Sequence, residues 1–204
     1  MLTISVLIIF ISATGVAQVV KGDLLLGGSM GFVNSNSSYI NGSGSSSNVN
    51  FNPRISLGVG NNSILGARLG YIYSNNKLDG SPTKINSNSF SVGLFWRKLI
   101  PIKGRFGWYP ELGGNFIAGK INNVDYNGIE VTSKTSGYTI FVAPGLYYSI
   151  APKFLLNVDF GGASYNHAKV ENSPGSDSKG NNFQFGLFQN FNFGFDFILG
   201  GKKK

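Results

Sequence analysis

The chain has 204 residues, enough for one domain, with no cysteine, a formal net charge of +8 and only 13% charged residues. Without cysteine there are no disulfides and no thiolate metal sites, and 14% aromatics do not fit a disordered chain. Apart from Lys202, Lys203 and Lys204, the Lys and Arg residues are scattered along the chain instead of gathering into the one-sided basic face of a nucleic-acid binder.

In chain order, Leu2 to Ile11 are almost wholly apolar, and Ser12, Ala13, Thr14, Gly15, Val16 and Ala17 follow. An apolar core with small residues at the −1 and −3 positions predicts a secretory signal peptide over residues 1–17, cleaved after Ala17. No Lys or Arg precedes the apolar run, and a buried N-terminal strand or helix is the other reading. No other stretch reaches the 18 or so apolar residues of a transmembrane helix. Mean hydropathy is +0.04, low for a helical membrane protein but suited to a barrel whose lumen-facing half dilutes the average.

Eight alternating segments are expected over 18–199: Leu24–Asn34, Asn48–Gly60, Ile64–Asn75, Ser87–Leu99, Arg105–Lys120, Thr135–Ile150, Phe154–His167 and Phe183–Leu199. Successive side chains of a strand point to opposite faces, so a period of two separates an apolar face from a polar one. In the second segment Val49, Phe51, Ile55 and Leu57 oppose Asn50, Asn52, Arg54 and Ser56. The last is the strictest: Phe183, Phe185, Leu187, Gln189, Phe191, Phe193, Phe195, Phe197 and Leu199 share one face. Gln184, Gly186, Phe188, Asn190, Asn192, Gly194, Asp196 and Ile198 share the other. Greasy residues toward lipid and polar ones toward a lumen have this pattern. Pro53, Pro110 and Pro144 fall on the proposed lipid face, where a local bulge is the expected accommodation.

Connections alternate between tight turns and polar loops rich in Ser, Asn and Gly, the arrangement of an outer-membrane barrel. The short-turn end, which also holds both termini, is expected in the periplasm, with residues 200–204 as a basic tail. Aromatics such as Trp108, Tyr148 and Phe197 map to one rim, and Tyr71, Phe90 and Tyr138 to the other, as headgroup-level girdles do.

The run from Phe90-Ser-Val-Gly-Leu-Phe-Trp-Arg97 through Pro101 to Trp108-Tyr-Pro-Glu-Leu-Gly-Gly114 resembles the outer-membrane protein β-barrel domain family, akin to small eight-stranded OmpA/OmpX-type barrels. The resemblance implies an eight-stranded antiparallel up-and-down barrel in the cell outer membrane, with location implied more firmly than function. The final strand also resembles the assembly signal of such proteins at Asn192, Gly194, Phe197 and Leu199, though it ends on Leu instead of an aromatic. This implies outer-membrane lipid and the barrel-assembly machinery as partners.

Taken literally, the alternation points Arg54, Arg68, Arg97, Glu111, Asp159 and Asp196 into the lower half of a narrow lumen. Unpaired charge in a confined site is costly, so three cations and three carboxylates should pair into a plug; a narrow ion or small-solute pore is the sharper reading. His167, the one histidine, has Ser164 and Glu171 nearby in sequence, but a lone rim histidine is ordinarily just solvated. No catalytic residue, cofactor site or metal site is assigned. The loops Asn34–Ser47 and Lys169–Asn182 are the expected places for contact with an extracellular ligand. The expectation is a non-enzymatic membrane barrel with a structural or surface-interaction role. The reading from another class is a secreted soluble barrel with an apolar ligand inside.

Overall fold

A computed structural model describes residues 18–39, 42–78, 84–124, 129–172 and 176–200. The expected signal peptide (1–17) and residues 201–204 of the expected tail lie outside the described residues. Among the described residues nine strands form one sheet: β1 (Leu24–Tyr39), β2 (Gly42–Gly60), β3 (Ser63–Leu78), β4 (Lys84–Lys98), β5 (Ile100–Lys103), β6 (Phe106–Val124), β7 (Glu130–Ala151), β8 (Phe154–Asn172) and β9 (Ser176–Ile198). The order is β4-β3-β2-β1-β9-β8-β7-β6-β5, antiparallel throughout, and a β4–β6 ladder closes eight strands into a ring. β5 is a short continuation of β4 past Leu99.

The ring closes out of step. Followed one way from Met30, cross-strand partners run through Phe51, Tyr71 and Phe90 to Ala118 on β6. Followed the other way they run through Phe193, Val158 and Leu146 to Trp108, ten residues lower on the same strand. A stagger of that size across eight strands tilts them by about 40° from the ring axis.

The outward row of every strand is apolar and exposed, among others Leu26, Ile55, Leu69, Leu94, Leu112, Ile140, Leu156 and Phe193. A continuous band of this kind around a whole sheet is far larger than the apolar patches of soluble monomers. Tight turns at one end join β2 to β3, β5 to β6 and β7 to β8. There the segment before β1 folds under the ring. Asn62 N–H donates to Val19 C=O (2.8 Å), Gly22 N–H to Gly58 C=O (2.8 Å), and Val19 is fully buried. With inward-facing Leu25, Ile64, Leu155 and Ile198, and with Leu99 between β4 and β5, Val19 makes an apolar floor.

Three expectations are corrected. First, most of each polar connection is strand: the β1–β2 ladder continues from Asn34–Ser47 up to Tyr39–Gly42, and β8 and β9 pair up to Asn172–Ser176. Ladder bonds are made by the main chain, so Ser and Asn extend a hairpin readily. Once both faces meet water the alternation that marks a strand disappears. The expected loops Asn34–Ser47 and Lys169–Asn182 are therefore largely hairpin.

Second, the strict period of β9 is broken. The β8–β9 register slips between Asp159/Asn192 and Gly161/Leu187, so Phe188 to Phe191 bulge against Phe160. Gly161 and Gly162 take φ of +91° and +157°, open to glycine and strained for other residues. Phe188, expected on the lumen face, is 65% exposed and stacks on Phe160 with centroids 5.1 Å apart.

Third, a register bulge accompanies Pro144 alone of the three prolines, between Val142 and Gly145. Pro110 sits just beyond the last β4–β6 pair, Arg97–Glu111, where its missing N–H breaks no ladder bond to β4. At Pro53 the β2–β3 register is unchanged on either side, from Phe51–Tyr71 to Arg54–Arg68.

One seam differs from the others. β1 and β9 pair only over Leu25–Met30 against Ile198–Phe193. Beyond it, Gly31–Tyr39 has β2 alone and Ser176–Asn192 has β8 alone as ladder partner among the described residues.

Candidate functional site

Directly above the apolar floor, charged side chains from five strands meet. Arg54 on β2 grips Asp196 on β9 with two bonds, Nε to Oδ1 at 2.7 Å and Nη2 to Oδ2 at 2.9 Å. Arg97 on β4 donates Nη1 to Asp196 Oδ2 (3.1 Å), and both Nε (2.8 Å) and Nη2 to Glu111 Oε2 on β6. Arg68 on β3 completes the chain with Nη2 to Glu111 Oε1 at 2.6 Å. The order is Arg54–Asp196–Arg97–Glu111–Arg68, each carboxylate held between two guanidinium groups. Asn157 on β8 adds Nδ2 to Asp196 Oδ2 at 3.1 Å. Arg97, Glu111 and Asp196 are 2–4% exposed, so these charges are desolvated and depend on one another.

Space for the network comes from the residue opposite. β1 lies between β2 and β9 and puts Gly27 on the lumen face; a Cβ there would lie 2.2 Å from Asp196 Oδ1. The guanidinium planes are packed by aromatic rings, Arg97 over Tyr109 at 4.2 Å and Arg68 over Phe141 at 4.4 Å. Each inward ring is directly opposite a glycine in the ladder: Phe95 with Gly66, Tyr109 with Gly145, Phe141 with Gly113, Tyr147 with Gly107. A Cβ at Gly145 would lie 2.2 Å from the Tyr109 ring. Ring and glycine together fill one side-chain layer of a narrow lumen.

Five of the six charged residues expected in the lumen are in this one network. Asp159 is the exception: it accepts from Tyr109 Oη at 2.5 Å and makes no ion pair among the described residues. The Tyr109 ring that it accepts from is the one packed against Arg97. The four inward aromatics were not singled out in the sequence; the signal available was a large ring on a face otherwise made of Gly, Ser and Asn.

The sequence matches the family model for the outer membrane protein beta-barrel domain over residues 3–191. The chain belongs to that family. It is a β-barrel protein of the cell outer membrane, and the exposed apolar band is the surface that this location calls for. Its fold is similar to the translocator domain of autotransporter NalP from Neisseria meningitidis, with TM-score 0.52, 16% identity, and coverage of 79% of this chain and 58% of that one. It is also similar to a major outer membrane protein from Thermus thermophilus, with TM-score 0.51, 13% identity, and coverage of 87% and 99%. No curated protein matches the sequence.

In this outer-membrane barrel the residues around His167 do not form a constellation. The β8 bulge shifts the alternation, so Ser164 faces inward beside Asn166 while His167 faces outward. His167 Nδ1 is 2.6 Å from Asn181 Oδ1 and its ring stacks on Tyr138. Glu171 is held by Lys169 Nζ at 2.6 Å. Among the described residues no cluster of His, Asp and Glu has the geometry of a metal site. Of the four expected assembly-signal residues, Gly194 and Phe197 lie within the seam, Asn192 stands just above its upper end, and Leu199 closes its lower end, where its N–H donates to Leu24 C=O at 2.8 Å.

Proposed function

We propose that the chain is a non-enzymatic, eight-stranded transmembrane barrel of the OmpA/OmpX kind, closed at its short-turn end, which carries long hairpins outward for surface interaction. The short turns and both ends of the described chain face the periplasm, and residues 200–204 form a basic tail there. The signal peptide 1–17 directs export. The assembly machinery reads Asn192, Gly194, Phe197 and Leu199 on the closing strand, which keeps the aromatic-rich lipid face such a signal requires.

The network from Arg54 to Arg68 above the floor of Val19, Leu25, Ile64, Leu155 and Ile198 carries this reading. Ions crossing it would have to displace desolvated, mutually neutralising charges, which is costly. Planar-bilayer recording tests it, with gel mobility before and after heating. The native chain should insert without steady conductance, and Arg54→Ala and Glu111→Ala should unfold at lower temperature. Steady native conductance that either variant alters would replace the plug with a narrow pore.

A further inference from the structure

Three outer hairpins each set lysine directly opposite lysine: Lys77–Lys84, Lys120–Lys134 and Lys169–Lys179. Like charges facing each other across a ladder repel unless an anion intervenes. For the third pair the anions are present. Lys169 Nζ lies 2.6 Å from Glu171 and 3.0 Å from Asp177, and these hydrogen bonds raise its pKa above the ordinary lysine range. Lys120 and Lys134 make no ion pair among the described residues, although Glu171 is the cross-strand neighbour of Lys134; its carboxylate is taken by Lys169.

The surroundings of Lys120 and Lys134 have a definite shape. Both are exposed on the outer wall, one outward step above Ala118 and Ser136. Beside Ala118 stands Phe90, which packs on Tyr71 with centroids 4.9 Å apart in the outer aromatic girdle. The small side chains leave a groove of about 480 Å³ in the wall, apolar at Phe90 and Ala118, with Lys120, Lys134 and Glu171, whose carboxylate is held by Lys169, among its lining residues. Girdle rings mark headgroup depth, so the lysines are at the level of lipid phosphates and the groove runs below them into hydrocarbon.

We propose that this groove binds one phosphate-bearing lipid of the outer leaflet, its phosphate between Lys120 and Lys134 and one acyl chain against Ala118 and Ser136. The inference rests on the reading that the apolar band faces lipid. The charge complementarity is local: Lys77 and Lys84 stand farther out, at the far end of their hairpin, and do not line this groove.

The test is native mass spectrometry of the full-length refolded chain, titrated with dioleoyl phosphatidic acid and, separately, dioleoyl phosphatidylcholine. One phosphatidic acid should bind per chain in preference to phosphatidylcholine. Lys120→Gln with Lys134→Gln should weaken it roughly 30-fold, about 5-fold per lysine. Ala118→Phe, which fills the groove and keeps both charges, should also weaken it. Lys77→Gln with Lys84→Gln should leave it unchanged. Undiminished binding by the Lys120/Lys134 variant, or equal loss in the Lys77/Lys84 variant, would overturn the site in favour of diffuse attraction. A chain recovered soluble without detergent, which fails to enter phosphatidylcholine vesicles, would instead overturn the lipid-facing band itself.

Discussion

Replacing Asp196 by Ala removes the acceptor at which Arg54, Arg97 and Asn157 converge. Four hydrogen bonds to a carboxylate disappear, three of them from guanidinium groups, at a site 3% exposed. Before the change two carboxylates serve three guanidinium groups, with Asp159 behind Tyr109; afterwards Glu111 alone faces Arg54, Arg68 and Arg97. Charge-assisted bonds are worth about 1.5–3 kcal/mol each, so three would sum to about 4.5–9. That sum overshoots, because Arg54 is partly rehydrated and Arg97 keeps Glu111. The working figure is the cost of breaking a buried pair, about 3–5 kcal/mol. With a urea slope of about 2 kcal/mol/M the midpoint should fall by about 2 M. The assay is urea unfolding of the chain refolded into phosphatidylcholine vesicles, followed by tryptophan fluorescence. Asp196→Asn, which keeps the shape and loses the charge, should fall between native and Asp196→Ala. If Asp196→Ala shifts stability by less than about 1 kcal/mol, the side chains there are solvated and the argument from desolvation fails.

Two further outcomes concern the lumen filling and the wall. Gly145→Ala should cost about 1–3 kcal/mol by pushing Tyr109 off its position, seen as a lower urea midpoint and altered near-ultraviolet circular dichroism. Gly114→Ala should be nearly silent, since its Cβ would meet only the Thr139 carbonyl at 3.5 Å. Phe188 has φ of +62°, which costs an L-residue about 1–2 kcal/mol, while its stack on Phe160 returns about 0.5–1.5 kcal/mol. Phe188→Gly should therefore be close to neutral and Phe188→Ala destabilising by about 1 kcal/mol in the same assay; the reverse order would mean that the backbone there is relaxed.

The strands and their outward faces were legible because lipid on one side imposes a period of two on each strand separately. Rows such as Leu65, Leu69 and Tyr71 need no knowledge of their neighbours. What was not legible depends on register between strands. The slip at Phe160–Gly162 turns Ser164 inward and His167 outward, and no pattern within β8 alone reports it. The pairing of Gly66 with Phe95, or Gly145 with Tyr109, is likewise set by how the ring closes. Alternation marks the charged residues of the lower lumen as inward-facing but does not separate Asp159 from the other carboxylates, because its bond to Tyr109 runs from β8 to β6. The upper hairpins read as loops in the sequence because water on both faces erases the period of two that marks a strand.

The short β1–β9 ladder divides the tube mechanically. Along Leu25–Met30 the circumference is fixed by main-chain bonds on every side, as in a closed hoop. Above Met30 and Phe193 the same wall is a split sleeve: β1 can lean away from β9 while each keeps its ladder to β2 or β8. Widening the sleeve breaks no hydrogen bond of the hoop, so stiffness is concentrated around Arg97 and Asp196 and compliance at the opposite mouth.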